Sequence, residues 1–271
     1  EQIVEKYIEE AEATTEPRLA TMLYRAAAET YARYSPGASE VETYLRKALE
    51  VDAKNNRAAL QLARLLGGAE RWDELQQHLQ SCVEVADKPE IRIACWIRLA
   101  ELGQGALNDA ELATTAMQQV IADEPGNSRA LGYLATHYEA EQNWAAAVSL
   151  YTNALKSKRR SSSAETEIDM LIQIGMLHWQ RLGDAEAAEE YFARLRKVSP
   201  AHRVQLDFYK EYYVQTEQSG KLMQLYRQAL KSVGASDPDR KQELMVELAQ
   251  LSEGSMDNPE KAIDSWKSIL R

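Results

Sequence analysis

Cysteine is nearly missing from this chain. Its 271 residues hold two, Cys82 and Cys95, too few for a disulfide framework. They read as reduced thiols in packed helices, which fits a cytoplasmic setting. Histidine is scarce as well, with only His78, His137, His178 and His202. No HExxH, CxxC, P-loop or GxSxG motif occurs, so the common signatures of metal, nucleotide and acyl-transfer chemistry are missing. Basic charge is in deficit. The formal net charge of −10 disfavours nonspecific attraction to nucleic acid or anionic lipid. No apolar run approaches the roughly 20 residues of a transmembrane helix, and no basic segment followed by an apolar run marks a signal peptide. Phenylalanine occurs twice, against thirteen Tyr and five Trp. Its aromatic weight therefore lies in side chains that carry a polar group.

What is present is spacing. In LGYLATHYEAEQNWAAAVSLYTNAL (131–155), Leu131, Leu134, Ala135 and Tyr138 fall at i, i+3, i+4 and i+7, one face of a helix. After a polar break, Ala147, Tyr151 and Ala154 form a second face. Small residues set among large ones let two helices approach closely. Such a pair cannot bury its own apolar surface and needs neighbours.

The pattern recurs. Small "notch" residues stand at Ala28, Ala63, Ala100, Ala135, Gly175 and Ala249, with Lys210 as the exception. Second-helix triplets follow at Val41/Leu45/Ala48, Leu75/Leu79/Cys82, Ala113/Met117/Val120, Ala147/Tyr151/Ala154, Ala188/Phe192/Leu195, Leu222/Tyr226/Ala229 and Ala262/Trp266/Ile269. Seven helix pairs result, over 17–54, 55–88, 89–126, 127–160, 161–201, 202–235 and 236–271. Notch and triplet are 13 residues apart in the odd pairs and 12 in the even ones, which suggests a double repeat. None of the seven prolines interrupts a predicted helix. Pro17, Pro89 and Pro238 suit helix starts, Pro125 and Pro200 follow second helices, and Pro36 and Pro259 sit in turns. KSKRRSSSAE (156–165) reads as a loop. Residues 1–16 have the register of a second helix without a partner before it, and the chain stops inside a second helix. Solenoids normally carry polar caps, so both ends are expected to be cut from a longer array.

Notch, aromatic, small residue and terminal proline at a base period of 34 resemble the tetratricopeptide repeat. The fourth pair matches that family's pattern except at Arg159, where its proline would stand. The sixth is the poorest, with Tyr209 and Lys210 in place of an aliphatic–small pair. Turns such as LNDAELA, LGDAEAA and MDNPEKA are similar to those of long bacterial arrays. The resemblance implies an all-α, right-handed α-solenoid of about seven hairpins over 17–271, after one leading helix. It also implies a noncatalytic scaffold or adaptor, not an enzyme, with first helices lining a concave groove for a protein or peptide partner.

Carried over residue by residue, the groove would present Arg25, Arg57, Arg64, Arg98 and Arg129, then Tyr133, Trp179 and Phe208. Arginine grips carboxylates with paired hydrogen bonds, and aromatics supply hot spots. The expectation is a partner with an acidic segment along the first half and a more apolar or basic one along the second. The competing expectation is that these arginines pair with neighbours such as Glu29 and Glu101. The family's carboxylate clamp is a poor fit, because Arg25, Glu29, Gln61, Ala94 and Arg98 occupy its positions and Glu29 repels a carboxylate. His78 and Cys82 share a helix face and, with Cys95, form a thin metal candidate; packing is the plainer expectation, and no cofactor is called for. Trp72 and Trp144 read as turn staples. Other readings are recruitment of a folded regulatory partner such as a small GTPase by an edge or convex face, an RNA-binding helical repeat, or the regulatory arm of a larger enzyme.

Overall fold

The computed structural model describes residues 2–35, 39–157, 164–233 and 237–254. Among the described residues every regular element is helical and no strand occurs. Leading helix α1 (Gln2–Ala13) precedes the hairpins. These are α2 (Pro17–Tyr34) with α3 (Ser39–Val51), α4 (Asn56–Gly68) with α5 (Trp72–Val85), and α6 (Pro89–Gln104) with α7 (Ala110–Asp123). Then come α8 (Ser128–Ala140) with α9 (Trp144–Lys156), α10 (Ala164–Met176) with α11 (Ala185–Val198), and α12 (Arg203–Gln215) with α13 (Ser219–Ser232). Helix α14 (Pro238–Gly254) begins the seventh pair. The second helix expected there, with Ala262, Trp266, Ile269 and Pro259, lies outside the described residues, as do Pro36 and Arg159. Packing divides the chain into two compact units, one through His137 and one from Tyr138.

Inside each unit, helices pack on their chain neighbours. In the first, α1 through α7 contact one another in order, and in the second α9 through α14 do the same. The notch residues Ala28, Ala100, Ala135, Gly175 and Ala249 are buried. So are the triplets of α3, α7, α11 and α13. At Gly175 the reason for a small residue is direct, because an added Cβ would sit 2.8 Å from Phe192 Cζ. Gly103 serves the same end in its turn, where a Cβ would meet the Asp109 carbonyl at 2.7 Å.

The hairpin turns explain the 12/13 alternation. Five turns carry one residue with positive φ: Glu70, Asn108, Gln142, Gly183 and Glu217. Each lies twelve residues before the last member of its triplet (70 to 82, 108 to 120, 142 to 154, 183 to 195, 217 to 229). The second half of these five hairpins is therefore constant, and the variation lies before that residue. In the short turns, the N–H after the left-handed residue donates to the carbonyl five back: Arg71 to Leu66, Asn143 to Tyr138, Gln218 to Tyr213. This is the closure of a Schellman cap. In the long turns it reaches six back, Asp109 to Gly103 and Asp184 to His178. The fifth pair absorbs its extra residue as a single π-helical turn over Leu177–Arg181, the usual form of a one-residue insertion in a helix. Asp109, Asn143 and Asp184 then cap the next helix, their side chains accepting from Leu112, Ala146 and Ala187 N–H.

Only Gly183 meets its positive φ without a steric cost, and nothing lies within 4 Å of a Cβ built there. Left-handed backbone costs other residues about 1 kcal/mol. Gln142→Gly and Glu217→Gly should each stabilise the chain by about 0.5–1 kcal/mol, and Gly183→Ala should destabilise it by a similar amount. Urea midpoints measure both; unchanged midpoints in all three would remove the turn account.

Candidate functional site

The second hairpin is the least completely packed. Ala63, Leu75 and Cys82, which occupy notch and triplet positions, are only partly covered. The cause is an opening of about 740 Å³ between α4 and α5 on one side and α6 on the other. Leu60, Leu75 and Leu79 line one wall, and Ile91, Ala94 and Leu102 the other. Arg64, Glu90, Arg98 and Glu101 supply its charged lining, and Trp72 lines it as well. A mostly apolar cleft of this size with a few polar groups is the usual form of a binding site. A second opening of about 750 Å³ adjoins it, between the first and second hairpins, with Ala28, Ala32, Leu65, Glu29, Gln61 and Arg71 among its lining. Arg64 and Gly68 line both.

Of the five arginines expected in a groove, three are engaged. Arg25 Nε lies 3.2 Å from Glu29 Oε1, and Gln61 donates to the same oxygen at 3.0 Å. Arg98 and Arg129 share Glu101, at 3.3 and 2.8 Å. Arg57 and Arg64 are exposed and form no ion pair among the described residues. Tyr133 OH is 3.4 Å from Thr114 Oγ1, and its ring stacks on His137.

Phe208 requires a correction. It was expected on a groove surface but is fully buried. Lys210 cannot enter a notch, so it faces solvent while Phe208 and Tyr209 turn inward. Gly175 leaves room for the Phe192 ring, which stacks on Phe208 at 4.5 Å between centroids. Trp179 meets both edge-on, at 6.4 and 5.4 Å, and is half-buried. Phe208 is thus core, and Trp179 is the outer edge of that core. Two acidic residues of the second half are also engaged: Glu243 pairs with Arg203 and Arg240, and Glu247 accepts from the Tyr226 hydroxyl at 2.7 Å. Burial, with Glu247 beside Tyr226 and Glu189 beside Tyr209, holds both hydroxyls well above the ordinary tyrosine range.

The metal candidate resolves differently. His78 Nε2 lies 2.8 Å from the Ala59 carbonyl. A carbonyl only accepts, so this nitrogen carries the proton and offers no lone pair to an ion. Burial lowers the His78 pKa, and Cys82 Sγ sits 3.6 Å from the ring nitrogen. Among the described residues no group of three metal-ligating side chains exists. Trp144 is capped by the Arg181 guanidinium, 4.9 Å from the ring centroid. No described helix is long and apolar enough to cross a membrane.

Burial of a small notch residue opposite a second-helix triplet, repeated at 34 to 41 residues, decides the type of fold. The hairpins are of tetratricopeptide type. No family model matches the chain, and no curated protein does. Among solved structures it is similar to YrrB, described as a tetratricopeptide repeat protein with an unusual peptide-binding site. The two share 15% identity over 76% of this chain and 97% of that one, with a TM-score of 0.38. It is also similar to the C-terminal part of a tetratricopeptide repeat protein from Cytophaga hutchinsonii (14% identity, 94% of each chain, TM-score 0.45). A third is yeast Tom70 (11% identity, 98% of this chain and 61% of that one, TM-score 0.41). At these identities and overlaps no residue role passes from those proteins to this chain.

Arg71, which lines the second opening, was not singled out by the repeat pattern. Its guanidinium is gripped by Glu42 and Glu74 together. The Arg71 hydrogen bond is the main cause that lowers the pKa of each carboxylate. A depressed carboxylate pKa contributes stability that is present at neutral pH and lost as pH falls through the folded value. The wild type should therefore lose more stability than Arg71→Met between pH 6 and pH 3, with the divergence below about pH 4.5. Parallel pH profiles of the two urea midpoints would contradict this.

Proposed function

We propose that this chain is a noncatalytic scaffold that holds a protein partner on the first-helix side of its first unit. The observation that carries this reading is the apolar cleft beside α4, bordered by an arginine that pairs with no carboxylate among the described residues. A partner segment would set apolar side chains against Leu60, Leu75 and Ile91, with an acidic residue facing Arg64 and Arg57. Guanidinium–carboxylate pairing at the edge of an apolar anchor favours capture and fixes register. Arg25, Arg98 and Arg129 contribute less than the sequence suggested, since Glu29 and Glu101 already neutralise them. Those same pairs weaken an RNA-binding reading, which needs a basic stripe. A cytoplasmic setting with reduced thiols belongs to this reading.

Two substitutions test the cleft from opposite sides. Leu60→Asp removes apolar surface from the wall, and Arg64→Glu reverses the charge at the margin. Affinity capture with quantitative mass spectrometry should show the same interactor depleted at least about tenfold by each. A Val214→Ser control, on an exposed site of the second unit, should retain it. An interactor kept by both cleft variants, or one lost only on nuclease treatment, would reject the proposal.

A further inference from the structure

Small residues leave the α4–α6 cleft open. Ala59, Ala63, Gly67, Gly68, Ala94 and Ala106 are among its lining, where larger side chains would fill the space as they do in close-packed interiors. The cleft also reaches inward, since Leu79 and Leu102 line it and are only 5% and 6% exposed. Along α4 it extends from Asn56 to Gly68, a length of about 18 Å at the helical rise. The space is long, apolar and backed by the core.

Its charges are not spread evenly. Helices α4 and α6 run in the same direction, because α5 reverses the chain between them and packs on both. Arg64 therefore lies toward the same end as Arg98 and Glu101, all three in the C-terminal halves of their helices. Glu101 is shared by Arg98 and Arg129, so three guanidinium groups stand against one carboxylate at this end. Glu90, the other lining carboxylate, sits in the first turn of α6, where the helix N-terminus favours it. It precedes Arg98 by eight residues, about 12 Å along the helix. The cleft is an apolar slot with a cationic end.

We propose that this slot binds a soluble amphiphile made of one alkyl chain and one carboxylate, the class of the medium- and long-chain fatty acids. The alkyl chain lies along α4 between Leu75 and Ile91, and its removal from water drives binding. The carboxylate faces Arg64, whose planar guanidinium donates two parallel hydrogen bonds to such a group. A head group of higher charge is disfavoured, because Glu101 lines the same end. The protein's net charge of −10 turns it away from anionic lipid surfaces, so the ligand is the free acid in solution and not a membrane. The site uses the same cleft as the scaffold reading but needs no protein partner, and it is tested on the purified protein alone.

Dodecanoate is the probe, with dodecanol and dodecylamine as uncharged and cationic forms of the same alkyl chain. Each is titrated below its micelle-forming concentration into the purified protein, and bound ligand is counted by equilibrium dialysis. One dodecanoate should bind per protein, at least about tenfold more tightly than dodecanol, and dodecylamine should bind no more tightly than dodecanol. Arg64→Met, at an exposed position, should lower dodecanoate affinity to that of dodecanol and leave dodecanol binding unchanged. Ala94→Phe, which sets a ring into the cleft from an exposed position, should weaken both ligands at least about tenfold. NMR of carboxyl-labelled dodecanoate should show the bound group titrating at lower pH than the free one, since a guanidinium favours the charged form. Equal affinity for dodecanoate and dodecanol, a preference for dodecylamine, more than one dodecanoate per protein, or dodecanoate binding unchanged by either substitution would each overturn the proposal. So would capture of the acid from phosphatidylcholine vesicles without capture from solution.

Discussion

The fold depends on one steric condition: a residue with little or no side chain at the middle of all but one of the first helices, facing the second helix of its pair. Where the condition is met most strictly, at Gly175, the Phe192 ring lies where a Cβ would be. That fit lets Phe192 reach Phe208 and build the aromatic core of the second unit. Interiors are packed too densely to absorb a misplaced methyl without displacement, so the small residues are positional requirements.

Where the condition is relaxed, the surface opens. In the second hairpin the triplet ends in Cys82, and Ala63, Leu75 and Cys82 stay partly accessible. The apolar cleft is the direct outcome, and the functional reading rests on it. Packing left incomplete in an otherwise well-covered unit concentrates apolar surface in one place with a guanidinium that pairs with no carboxylate among the described residues. Each of these is uninformative alone; their juxtaposition is what makes the site.

Much of the architecture was legible in the sequence, because helical spacing and close packing are local rules. Notch residues and triplets fell where burial later placed them in most pairs, and the alternation of 12 and 13 residues had a cause in the turns. The cleft was not legible, since it arises from how α6 sits against α4 and α5, and no periodicity encodes that distance. Phe208 was misplaced for a related reason. The pattern treats each first helix as having a fixed face, but Lys210 cannot be buried unpaired, so that face of α12 turns and carries Phe208 inward. The glycine at position 175 and the lysine at 210 were the available signals, and they had to be read together across two hairpins. Of the two expectations for the groove arginines, pairing with Glu29 and Glu101 describes Arg25, Arg98 and Arg129, and counting cations along one face could not say which of the five would pair.

The most direct measurement of the steric condition is a double-mutant cycle at its tightest point. Gly175→Ala alone should cost about 1–3 kcal/mol in urea denaturation, as an added methyl drives against the Phe192 ring. In a Phe192→Leu background the same change should cost at least about 1 kcal/mol less, a coupling energy typical of residues in contact. Strictly additive costs would contradict the account, since they would mean that the small residue at 175 does not exist to admit the ring at 192.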